Sequence, residues 1–173
     1  VFIPMVDGTE SVNPTRIELA KHLTFQKASQ KSDLLNKDFV DTLVVQMVID
    51  LRERFGEQIL VTSLYSDHDP DGNLGPHGHH PRPTYDTPGL SIDLWPENND
   101  HEALIKAIYE SPYVWTFGAG GDTVKGFVAK MPPPQDGKFV YFPDNDQDHY
   151  HLQAANANGS GVRYVQTESN NAD

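Results

Sequence analysis

Apolar residues recur at helical spacing most clearly between Asp38 and Gly56, at Val40, Leu43, Val44, Met47, Val48, Leu51 and Phe55. Such a stripe predicts one long helix with Asp38 as its cap and Gly56 as its stop. A shorter helix is predicted after Asn13, which can cap it, with Pro14 at the first helical position and Ile17, Leu19, Ala20 and Leu23 following. Residues 28–37 are polar. The period then changes. Ile59-Leu60-Val61-Thr62-Ser63-Leu64-Tyr65 is rich in β-branched and aromatic residues and reads as a buried strand. Residues 66–85 crowd Asp, His, Gly and Pro, which predicts a long loop. Residues 90–95 alternate as a strand does, and Asn99 or Asp100 caps a helix through Ala103, Leu104, Ala107 and Ile108 that ends before Pro112. Further strands are predicted at 126–129, 139–142 and 149–153, with a frayed tail rich in Asn, Gly and Ser from Ala154. Elements in this mixed order predict an α+β domain, a small antiparallel sheet with helices packed on it.

The chain has 173 residues, 37% of them hydrophobic, enough for a single domain over residues 1–153 with 154–173 as its tail. Without cysteine it has no disulfide, thiolate metal site or cysteine nucleophile. Its 13 Lys and Arg stand against 25 Asp and Glu for a formal charge of −12, so a nucleic-acid partner is not expected. No apolar run approaches the roughly 20 residues that span a bilayer, so membrane insertion is not expected either. The first residue is Val rather than Met, consistent with a processed chain or a piece of a larger protein or assembly.

Two distant stretches gather side chains that bind metals, Asp86-Thr87-Pro88-Gly89-Leu90-Ser91-Ile92-Asp93 and Asp148-His149-Tyr150-His151. On a strand His149 and His151 share a face, whereas Asp148 joins them only if the strand start bends. Carboxylate with neutral imidazole is a normal set of zinc ligands, and three protein ligands leave a position for water. Such a site suits hydrolysis, with the metal polarising the scissile carbonyl and a nearby carboxylate moving the proton.

These residues resemble the paired motif of the LAS metallopeptidases, which include D-Ala-D-Ala carboxypeptidases and dipeptidases, L-alanyl-D-glutamate endopeptidases of phage lysins, and the hedgehog signalling domain. The family pattern is His-x-x-Gly-x-Ala-x-Asp and, much later, His-x-His with an acid shortly before the last His. Gly89, Ser91 for the small residue, Asp93, His149 and His151 match it, and the helix, Gly56 and strand before them extend the likeness over residues 38–153. The resemblance implies Asp93 and His151 as metal ligands with Asp86 in the first ligand position, Asp148 as catalytic base, and His149 as a neighbour stabilising the transition state. It also implies a fold like that of hedgehog and the D-Ala-D-Ala peptidases, and a divalent metal, zinc first with Mn, Mg or Ca as alternatives. The implied substrate is a peptidoglycan stem peptide, cleaved by a carboxypeptidase or endopeptidase in an extracellular, periplasmic or virion-associated setting.

The chain departs from the family at two positions. Asp86 stands where the first His is expected, and Ser66 stands after Tyr65 where a substrate-binding Arg is common. Two carboxylates and one imidazole form a harder ligand set, better suited to Mn, Mg or Ca. His77, His79 or His80 is the alternative source of the third ligand. A register that starts at His79 places Arg82 where glycine belongs. These departures motivate a second expectation, a catalytically degenerate metal-binding or structural module of the same fold in a virion or cell-surface protein.

Asp67, Asp69 and Asp71, followed by Gly72, imitate the start of a calcium loop and raise a second, calcium site, although Gly78 stands where an acid should close it. A solvated acidic loop is the plainer expectation. The glycines at 118, 120 and 121 lack the Lys-Ser or Lys-Thr of a phosphate loop and are set aside. Trp95, Tyr113 and Trp115 suit a core more readily than a substrate groove.

Overall fold

The computed structural model describes residues 14–67, 91–134, 139–142 and 147–154. The elements in its first half are helix α1 (Pro14–Lys21), strand β1 (Leu23–Phe25), helices α2 (Ala28–Leu34) and α3 (Thr42–Phe55), strand β2 (Ile59–Ser63) and a 3₁₀ turn (Tyr65–Asp67). Strand β3 (Ser91–Pro96), helix α4 (His101–Glu110), strand β4 (Val114–Gly120), helix α5 (Asp122–Lys130) and strands β5 (Phe139–Tyr141) and β6 (His149–Ala154) follow.

The strands form one sheet in the order β1-β2-β3-β6-β4-β5. The inner neighbours are antiparallel, while β1 beside β2 and β5 beside β4 are parallel. The α+β class therefore holds, and the sheet is mixed rather than antiparallel throughout. Each parallel pair is joined by a helical crossover, through α2 and α3 at one edge and through α5 at the other. Alternation along the strands divides the two faces. Ile59, Val61, Ile92, Leu94, Phe117, Ala119, Tyr150 and Leu152 are buried in one core with Val44, Met47, Val48 and Leu51 of α3 and Leu104, Ile105 and Ile108 of α4. The face opposite carries Asp93, Thr116, His149, His151 and Gln153.

Local chemistry sets the helix ends. Gly56 closes α3 at φ 77°, in the left-handed region, and its N–H donates to the Arg52 carbonyl at 3.0 Å. The cap at the other end is Asp41, not Asp38: its carboxylate accepts the Leu43 N–H at 2.8 Å. Asp38 belongs to the preceding turn, donating its own N–H to Asn36 Oδ1. Asp100 caps α4 as expected, accepting from Ala103 at 3.2 Å.

Two helices go beyond or against the pattern of the sequence. The polar residues after Lys27 form α2, whose buried positions include Gln30 and Asp33 rather than only an apolar stripe. Gln30 Oε1 accepts the Lys27 N–H at 2.9 Å, and Gln30 Nε2 donates to the Thr62 carbonyl at 3.1 Å, so hydrogen bonds seat this helix. Residues 126–129, expected as a strand, lie in α5. Val124 is its buried anchor, and its first turn is held from outside by Asp148.

Burial pushes the Asp41 carboxyl above its ordinary value, outweighing the Leu43 N–H and the Arg16 charge that favour the carboxylate. The folded chain thus holds this proton more tightly than the unfolded chain, and the associated stability is lost as pH rises through the raised value. Asp41→Asn, which keeps the capping oxygen without the charge, is expected to be at least as stable as wild type at neutral pH. The difference should close below the ordinary value of 3.8. Asp41→Ala should lose about 1 kcal/mol. Urea denaturation at both pH values measures these effects, and an Asn variant less stable than wild type at neutral pH would contradict the burial argument.

Candidate functional site

The β3–β6 ladder sets Asp93 directly opposite His151. Their side chains share the polar face, and the Asp93 carboxylate accepts from His151 Nδ1 at 2.8 Å. Both are withdrawn from water, at 7% and 0% exposure. His149 falls on the same face two positions earlier along β6. Its Nδ1–H donates to the Gln147 carbonyl at 2.7 Å, which leaves Nε2 as the basic nitrogen of the neutral ring.

Asp148 does not continue the strand alternation. Its Oδ1 accepts the N–H groups of Thr123 at 3.0 Å and Val124 at 3.4 Å, in the first turn of α5. The helix's own N-cap residue, Gly121, has no side chain with which to cap it. The anionic carboxylate is also favoured by the helix dipole at this end. Gly120 and Gly121 make the arrangement possible. A β-carbon at Gly120 would fall on the His149 ring, and one at Gly121, where φ is 82°, would fall on Asp148 Oδ1. The two glycines thus make room for a ring and a cap supplied by the start of β6, a role unrelated to a phosphate loop. The signal available was a Gly-Gly pair directly before a helix, with no capping side chain.

Asp93, Asp148 and His149 line one cleft of about 620 Å³ together with Gln26, Lys27, Leu60, Thr62, Ser63, Asp67, Trp95 and Gln147. A register shift in β2 between Val61 and Ser63 interrupts strict alternation there, and Thr62 and Ser63 both reach the cleft. His151 lies against Asp93 behind the cleft wall.

The 3₁₀ turn after β2 is tied to α2 by two carboxylates. Asp33 accepts the Ser66 N–H at 2.7 Å and its hydroxyl at 2.6 Å. Asp67 accepts from Leu64 N–H at 2.7 Å, Lys27 Nζ at 2.9 Å and Gln30 Nε2 at 3.2 Å. The first acid of the calcium-loop pattern is thus engaged by an ammonium that a cation would have to displace. Asp69, Asp71, His77, His79, His80 and Asp86 lie outside the described residues. Among the described residues no three His, Asp or Glu side chains converge as a metal-binding group.

Tyr150, between the two histidines, turns to the opposite face and meets His101 Nδ1 at 2.7 Å. Its ring stacks on Phe117 at 5.6 Å, while His101 stacks on Phe127 at 4.8 Å and meets the Trp95 ring edge-on at 4.8 Å. Burial, helped by the negative charge of Asp148, holds the Tyr150 hydroxyl well above its ordinary range. Burial also pushes the His101 imidazole down, against the pull of Asp148 and Asp100. The neutral His101 ring and the neutral Tyr150 hydroxyl therefore share one buried hydrogen bond. Of the aromatic candidates, Trp95 joins the cleft to this cluster and Tyr113 packs against the core.

Comparison of the chain with protein-family models, curated proteins and solved structures returns no match.

Gly120→Ala is expected to displace the His149 ring, moving its imidazole NMR signals and lowering the melting temperature. Gly126→Ala, at a position in α5 where a β-carbon meets nothing within 4 Å, should instead stabilise the fold by about 0.5–1 kcal/mol. Unmoved His149 signals in the Gly120 variant would refute the cradle. His101 gives a prediction of pH dependence. Its folded value is depressed, so stability present above the ordinary 6.5 is lost as pH falls through the lower folded value. His101→Gln should flatten that part of the stability curve, and an unchanged slope would show that another group is responsible.

Proposed function

We propose that this cleft is the active site of a metal-dependent hydrolase that cleaves peptide bonds in peptidoglycan stem peptides. The observation that carries the proposal is the meeting of the two sequence stretches, with Asp93 against His151 and with Asp148 and His149 lining the cleft beside Asp93. A tetrahedral zinc with arms of about 2.0–2.2 Å spaces neighbouring ligand atoms roughly 3.3 Å apart. Asp93 Oδ1 and His151 Nδ1, at 2.8 Å, would need only to part slightly and exchange their shared proton for a cation. The third ligand would be Asp86 or one of His77, His79 and His80. A bound divalent ion supplies Lewis acidity at the scissile carbonyl and acidifies water.

The protein's own groups supply the rest. With Oδ1 of Asp148 held by helix amides, Oδ2 is the atom that takes the proton of the attacking water and returns it to the leaving nitrogen. His149, fixed through Nδ1 to the Gln147 carbonyl, serves through Nε2 at the developing oxyanion when protonated. Trp95 and Leu60 supply apolar wall to the cleft. Ser66 favours a second reading, a catalytically silent metal-binding or structural module in a virion or cell-surface protein. Its hydroxyl is engaged by Asp33, at the position where the resembling family commonly has a substrate-binding cation.

Metal analysis of the purified chain, with hydrolysis assays on peptidoglycan and D-Ala-D-Ala peptides, tests both readings. His151→Ala should lose the ion and all hydrolysis. Asp148→Asn keeps an oxygen to cap α5 but cannot act as a base, so it should keep the ion and lose roughly 100-fold or more in rate. Full activity in Asp148→Asn would eliminate the base assignment. A retained ion with no cleavage of any of these substrates would select the silent module.

A further inference from the structure

The polar face continues beyond the Asp93–His151 pair. One row farther along β6, the sheet register sets Ser91 of β3, Gln153 of β6 and Thr116 of β4 side by side. Gln153 and Thr116 are 6% and 1% exposed, yet Gln153 Oε1 and Thr116 Oγ1 have no hydrogen-bond partner among the described residues. Nearly all buried polar groups in folded proteins are satisfied, and an unmet acceptor in a sheet interior is costly. Two of them, neighbours in register and on the face that carries the candidate site, point to a group that comes from outside the fold.

We propose that Gln153 and Thr116 form a substrate subsite for a neutral amide, on the side of the Asp93–His151 pair away from His149. This inference rests on the hydrolase proposed above. The chemistry sets the ligand class. Gln153 Oε1 accepts an N–H, and the Thr116 hydroxyl can donate to a carbonyl, so together they match one peptide unit. The row contains no ionisable side chain, and its burial disfavours a carboxylate or ammonium there. Rows of a strand that share a face are roughly 6.8 Å apart, which is also the repeat of an extended peptide. A substrate with its scissile carbonyl beside Asp93 thus continues as peptide at Gln153 and does not end there in a charged terminus.

Gln153→Leu and Thr116→Val, in the full chain, remove the polar atoms while keeping similar shape. If no internal bond is lost, the melting temperature should stay level or rise. N-methylacetamide, as a peptide-bond probe, should move the Gln153 side-chain amide and Thr116 methyl NMR signals in wild type, and the effect on the surviving signal should vanish in each variant; acetate should do neither. With a stem tetrapeptide, each variant should raise KM roughly three- to tenfold with kcat little changed. A melting temperature several degrees lower with KM unchanged, or no response to N-methylacetamide, would overturn the subsite and assign the row a structural role. A wild-type chain that responds to N-methylacetamide but hydrolyses nothing would overturn the hydrolase while leaving the subsite in place.

Discussion

Asp93 and His151 are 58 residues apart in the chain, and their contact depends on one register between β3 and β6. Because side chains alternate across a sheet, a slip of one residue in β6 would turn both histidines towards the core and bring Tyr150 and Leu152 to the polar face. Burial of those two side chains in the helix-covered core opposes such a slip. The apolar face therefore enforces the geometry of the polar one. Val61 and Leu94 in β2 and β3, with Phe117 and Ala119 in β4, hold the same register from either side.

A second constraint acts at the start of β6. Asp148 supplies the cap that α5 lacks, and His149 lies over a glycine of β4. The helix, the end of β4 and the start of β6 consequently share one joint. Asp148 has a structural duty through Oδ1, which accepts the amides of the first turn of α5. Two side chains of the candidate site are thus placed by the fold's own need to satisfy a helix terminus and to fit rings between strands. The same economy is seen at the other edge, where Gln30, Asp33 and Asp67 join α2 to the end of β2.

What the sequence made legible follows from which physical signals are local. The stripe from Val44 to Phe55, the left-handed stop at Gly56 and the Asp100 cap are set by neighbours within a turn, and each was readable. The candidate pair was also readable, because Asp93 and the two histidines lie in strand-like runs with a strong compositional signature. Helix α2 was not, since its burial depends on Gln30 and Asp33 finding partners at Thr62 and Ser66. Helix α5 is not legible locally, because its cap, Asp148, lies 25 residues downstream of Thr123. The roles of Gly120 and Gly121 were hidden for the same reason. A glycine's purpose is set by what occupies the space beside it, and here that is a later part of the chain.

Strand β6 is the last of the described strands in sequence, yet it lies between β3 and β4 in space. Until it inserts, the sheet consists of two parts with open edges, and backbone donors and acceptors along β3 and β4 await a partner. Such edges are sticky, and pairing over a long sequence separation is slow. Closure of the sheet and assembly of the site are therefore the same folding event. A chain leaving the ribosome has neither the Asp93–His151 contact nor the capped α5 until its final described strand is available. Formation of that contact and of that cap is consequently timed by the synthesis of β6.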